Sequence, residues 1–135
     1  MKELYEDLAF VVYPVSDMAA AKGFYSGVLE LAETASHGKA WVEYDIGRGT
    51  LAITNTFRHL KPGAPGAILA IEVSDIDKID EALRAKNLPW ATGPFDTPLC
   101  RGGSIKDPDG NEVIFHQKKD KDPFPHPGSP ASCCG

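Results

Sequence analysis

Residues 68–83, ILAIEVSDIDKIDEAL, decide how this chain reads. Residues 67–73 form an apolar run broken only by Glu72, which predicts a strand. Asp75 follows as a helix cap, because its short side chain can accept from the first unpaired helical N–H groups. Ile76, Ile79 and Leu83 then recur at i, i+3 and i+7, a single helical face. Asn87 ends the helix, since Asn tolerates a left-handed backbone. The same order appears earlier, in residues 10–31, FVVYPVSDMAAAKGFYSGVLEL. Residues 8–15 are the strand, and Pro14 predicts that pairing stops near its end. Ser16 or Asp17 is the cap, and Met18, Ala21, Tyr25 and Val28 share one helical face. Gly27 weakens that helix near its end.

Working outward, residues 40–46 alternate, with Val42, Tyr44 and Ile46 on one side and Trp41, Glu43 and Asp45 on the other. That is a half-buried strand. Residues 47–49 turn the chain into a hairpin partner at 50–56. Residues 61–66 hold two prolines and two glycines and read as the link between two halves. In the second half, residues 94–103 read as an irregular loop, with room for a short strand before it. Residues 103–106 and 112–117 flank Asp109-Gly110, a strong hairpin signal. Beyond residue 117 no apolar pattern remains. Residues 118–135 are charged and then proline-rich, a tail expected to run over the surface.

The 135 residues suit one domain with a sizeable core. The net charge of −5 argues against nucleic acid as a partner, since phosphate binding needs a basic face. No apolar run approaches the ~20 residues of a membrane helix. The acidic residues Glu3, Glu6 and Asp7 do not suit a signal peptide. Cys100 stands alone and Cys133 and Cys134 are adjacent, so the cysteines form no framework. A reducing, cytoplasmic setting is the simpler reading.

The two Val-Ser-Asp signatures, together with GGSIKDPDGNEVIFHQ at residues 102–117, resemble the vicinal oxygen chelate superfamily of glyoxalases, extradiol dioxygenases and bleomycin-resistance proteins. The resemblance spans residues 8–117. It implies an α+β fold of two βαβββ modules, about 8–60 and 66–117, forming a shared concave cavity with helices outside. It also implies a homodimer. Metal-dependent members place His or Gln on the first strand of each module and Glu late in each module. The matching positions here are Phe10, Ile68 and Ile114, and residues 46–71 contain no acid that could serve as the remaining Glu. None of these side chains offers a donor at metal distance. The expectation is therefore no metal and no cofactor at that site.

Strand parity nominates the polar groups of the cavity. With Phe10 facing in, Val12 and Pro14 follow, as do Ile68, Ala70 and Glu72, then Glu112, Ile114 and His116. Trp41 and Glu43 join them. Glu72 is a carboxylate in an apolar strand and is expected to act as a base or to pair at a rim. His116 is a candidate acid or base, or a solvated strand end. Cys100 is a candidate nucleophile with Arg101 beside it and His116 within reach, or a small buried hydrophobe. Trp41, Glu43 and Arg101 are candidate ligand contacts. Trp90 is a stacking platform or core. His37 and His59 read as solvated, and His126 with Cys133 and Cys134 matches no zinc spacing. The function these residues suggest is a metal-independent small-molecule binder or enzyme. Its alternatives are a metal-dependent lyase or dioxygenase with a displaced site, and a non-catalytic regulatory or partner domain.

Overall fold

The computed structural model describes residues 1–64 and 66–119. Within them lie two four-stranded sheets, each with one α-helix. The elements are β1 (Val11–Pro14), α1 (Met18–Lys22), β2 (Glu33–His37), β3 (Trp41–Ile46) and β4 (Gly49–Thr54). There follow β5 (Leu69–Glu72), α2 (Ile76–Ala85), β6 (Thr92–Asp96), β7 (Cys100–Lys106) and β8 (Glu112–Lys118). Each set reads β-α-β-β-β, so the expected pair of modules is present. The strand order is β1-β4-β3-β2 in one sheet and β5-β8-β7-β6 in the other. In each, the first strand runs parallel to the last and the remaining pairs are antiparallel. The described residues divide into two compact units, the first within 1–67 together with 107–111, the second 68–106 together with 112–119.

In the first unit, Tyr13, Val42, Tyr44, Leu51 and Ile53 share one face of the sheet and are all buried. Ala21, Phe24 and Tyr25 cover them, with the Tyr25 ring centroid 6.0 Å from that of Tyr44. The helix departs from the simple expectation. Asp17 caps it through the Ala20 N–H at 3.1 Å, but after Lys22 it widens into a π-helical stretch, Gly23–Val28. The wider turn buries Phe24 as well as Tyr25, so the core stripe is broader than the 3.6-residue period suggests.

The turn at residues 107–111 belongs to this first unit. Asp107 is buried and accepts from the Tyr25 hydroxyl at 3.0 Å, Asn111 Nδ2 at 2.8 Å, and the backbone N–H groups of Asp109 and Asn111. Asn111 in turn donates to the Pro14 carbonyl and accepts from the Gly63 N–H. Gly63 has φ +75°, and a β-carbon there would lie 2.0 Å from the Asp109 carbonyl oxygen, so only glycine fits.

In the second unit, Ile105, Val113 and Phe115 form the helix-covered face, against Ile76 and Leu83 of α2. Trp90 is only partly buried and packs against this core. Its ring packs edge-on to Phe115, and its Nε1 donates to Asp80 of α2 at 2.8 Å. A β-carbon at Gly103 would come within 2.7 Å of the Trp90 ring, so this strand position makes room for the indole. Asp75 caps α2 as expected, accepting from Asp77 and Lys78. Asn87 adopts φ 54° just past its end. Asp75→Ala is expected to lower the unfolding free energy by about 1 kcal/mol, measured by urea denaturation.

Several boundaries differ from expectation. The first strand begins at Val11, and Leu8 is exposed. β2 carries no alternating pattern, with four of its five residues exposed, and exists because it pairs with β3. Residues 94–103 are not an irregular loop: β6 and β7 pair across them with a register break between Thr92 and Phe95. The last strand extends to Lys118. Lys119 donates its N–H to the Leu99 carbonyl and pairs with Asp96, so the tail boundary lies later than residue 117. The remainder of the tail, including His126, Cys133 and Cys134, lies outside the described residues.

Candidate functional site

Pairing registers place the nominated side chains. In the first unit, Trp41 faces Thr54 across the ladder and Glu43 faces Ala52, and neither shares the face that packs on the helix. Phe10 lies against Trp41 on the same side, with ring centroids 5.3 Å apart and planes at 80°. Phe57, just past β4, adds a second ring, 6.0 Å from Trp41 and inclined at 64°. His59 stacks on Phe57 at 5.7 Å. Phe10 and Phe57 remain 46% and 38% exposed, so this is an accessible aromatic surface and not core. Trp41 Nε1 donates to Glu43 Oε2 at 2.9 Å, and His37 Nε2 stands 4.0 Å from the same oxygen.

In the second unit, Glu72 pairs with His116 across the parallel β5–β8 ladder, which brings both to the helix-free face. Glu72 Oε1 lies 2.7 Å from His116 Nδ1, and Oε2 accepts from the Lys118 N–H at 2.8 Å. The carboxylate is half exposed, so water offsets much of the cost expected for an acid in an apolar strand. Ile114 and Ala70 sit on the same face.

Two nominated residues lie elsewhere. Arg101 follows the opposite parity, toward α2, where its Nη atoms donate to both oxygens of Asp77 at 3.1 and 2.9 Å. That two-pronged bond holds the Asp77 carboxyl below its usual range. It makes Arg101 a tie between strand and helix. Cys100 is fully buried and is not a free thiol, so it presents no nucleophile. Trp90 packs on Phe115 and Asp80, as described above.

Sequence reasoning missed Phe57; it read His37 and His59 as solvated, and both are exposed, but it did not place them beside Glu43 and Phe57. The first follows the last strand of its module and shows no periodicity. The two histidines are recruited by ring stacking and strand pairing, which composition does not reveal.

The positions at which a metal-dependent relative carries its ligands do not fit a metal here. Phe10 is engaged in an aromatic contact, and Ile68 and Ile114 are aliphatic. Among the described residues, no three His, Cys, Asp or Glu side chains assemble into a set that could hold a metal ion.

The paired βαβββ modules define a glyoxalase-like class of α+β protein. A family model for the glyoxalase/bleomycin resistance protein/dioxygenase superfamily matches residues 7–115, and the chain belongs to that superfamily. It is similar in structure to TnmS3, an antibiotic binding protein from Streptomyces sp. CB03234, at 25% identity and TM-score 0.71, over 85% of this chain and 98% of that one. A glyoxalase/bleomycin resistance protein from the same source is 26% identical, with TM-score 0.68 over 80% and 97%. Lactoylglutathione lyase from Agrobacterium tumefaciens shares the fold, at 21% identity and TM-score 0.67 over 83% and 95%. No curated protein matches in sequence. Among the described residues no helix is long and apolar enough to cross a membrane.

Proposed function

We propose that this chain is a metal-independent small-molecule-binding protein of the bleomycin-resistance type. Its ligand lies against the aromatic surface of the first unit. The observation that carries this reading is the Phe10–Trp41–Phe57 cluster, three rings in contact on the helix-free face with two of them well exposed. Apolar walls with a few placed polar groups are the usual make-up of a ligand site, and Glu43 supplies such a group. The aliphatic and aromatic residues at the metal-ligand positions, and the similarity to an antibiotic binding protein, support binding over metal-assisted catalysis. In this reading the protein works as a homodimer, with neither nucleic acid nor membrane as partner.

The test is an NMR titration with a panel of aromatic antibiotics, following the two indole N–H signals separately. The expected result is a saturable shift at Trp41 with Trp90 unmoved, because the Trp90 indole N–H is held by Asp80 in the other unit. Saturable binding that leaves the Trp41 signal in place, or no binding across the panel, overturns the proposal.

A second reading rests on the Glu72–His116 contact. A carboxylate on Nδ1 orients an imidazole in the way an acid–base pair requires. If the protein turns over its ligand, His116→Gln is expected to lower the rate constant by about 100-fold or more while leaving affinity within about twofold. Equal rates in wild type and variant would remove the pair from any chemistry.

A further inference from the structure

We infer that the ligand of this aromatic surface carries an organic cation, an amine or alkylated ammonium, seated against Trp41 with Glu43 as its counter-ion. This rests on the binding role proposed above and adds the charge of the ligand. Phe10 and Phe57 stand at 80° and 64° to the indole plane, in edge-to-face contacts, so the three rings do not make a flat wall. Ring faces meeting at steep angles are the arrangement that surrounds a compact cation with negative quadrupole density. A broad neutral ring system would be better served by parallel faces.

Glu43 sharpens the choice. Its carboxylate lies on the same face and takes the indole N–H at 2.9 Å. Donating to an anion pushes electron density into the indole, which deepens the negative potential over its face. The Glu43 side chain is only 25% exposed, and among the described residues its one ion-pairing neighbour is His37, at 4.0 Å and itself 72% exposed. Among the described residues no Lys or Arg is paired with Glu43. A half-buried carboxylate without a strong cation, beside aromatic faces, is complementary to a soft organic cation. A hard inorganic ion would require several oxygen ligands, and this surface has one carboxylate. The chain's net charge of −5 draws cations toward it.

The experiment compares two probes of one shape, benzyltrimethylammonium and its uncharged carbon isostere neopentylbenzene. Binding is read from the Trp41 indole signal at about pH 8, where an ordinary His is neutral. Wild type is expected to bind the cation about tenfold more tightly than the isostere. In Glu43→Gln, whose amide oxygen can still accept from the indole, that preference is expected to fall to near parity with the isostere's affinity unchanged. Increasing NaCl should weaken the cation alone, a result available from wild type should the variant fail to fold. Equal affinities in wild type overturn the cation assignment while the binding surface stands. An equal loss for both probes in Glu43→Gln, or a salt-independent cation affinity, overturns the counter-ion role. If neither probe reaches Trp41 but a neutral antibiotic does, the cation inference fails alone. If nothing does, the binding role fails with it.

Discussion

Replacing Asp107 by Ala is expected to be the most damaging polar substitution in the protein, lowering the unfolding free energy by about 3–5 kcal/mol. One carboxylate satisfies four donors there: the Tyr25 hydroxyl, the Asn111 amide and two backbone N–H groups. Tyr25 is fully buried and Asp107 is 5% exposed, so no water replaces the lost acceptor. Asp107→Asn should cost less, because one oxygen still accepts. Chemical denaturation of the three proteins gives the ranking. A loss under about 1 kcal/mol for Asp107→Ala would mean the turn reorganises without it.

The same contact predicts an alkaline weakness. Burial, and then the Asp107 charge, raise the Tyr25 phenol well above its ordinary range. The folded protein holds this proton, and the unfolded chain releases it near pH 10. Unfolding therefore releases a proton above that pH, so stability is whole below about pH 10 and falls as pH rises further. Tyr44, also raised by burial, contributes with the same sign. Tyr25→Phe should shallow the alkaline slope, and an unchanged slope would assign the loss to other groups.

The second large effect concerns binding. Trp41→Leu is expected to weaken any ligand of the aromatic surface by about 10- to 100-fold, roughly 1.4–2.8 kcal/mol. Trp41 is the ring that both Phe10 and Phe57 touch, and it carries the bond to Glu43. Removing it takes away the shared wall and the orientation of the carboxylate together. Leucine keeps an apolar plug over the strand, so the fold should change little, because the core lies on the other face with Tyr44 and Ile53. Calorimetric titration of wild type and variant checks this. Affinity within about twofold of wild type would place the ligand elsewhere.

How much of this was legible before any coordinates depends on the kind of information each feature needs. The repeated Val-Ser-Asp and the Asp-Pro-Asp-Gly-Asn turn announced the modules because capping and hairpin turns are local chemistry. Parity carried further. Trp41 and Glu43 in the first unit, and Glu72 and His116 in the second, each lie on the helix-free face of their own sheet, as the alternation of the pleat requires once one residue of a strand is known to be core. Parity failed for β2, where four of five residues are exposed, and for residues 94–103, where a register break interrupts alternation.

By itself, then, the sequence determined the α+β module plan, the caps and the principal hairpin. Each follows from neighbours a few residues apart or from side-chain chemistry alone. Tertiary structure decided that Arg101 ties to Asp77, that Cys100 is buried away from chemistry, and that Trp90 fills the space left by Gly103. It also decided that Glu72 meets His116, 44 positions away in the chain, and that Phe57 completes a surface with Phe10 and Trp41. The physical reason is the same in every case. A strand's alternation tells which face a side chain occupies, whereas its partner on that face is set by which strands pair and in what register.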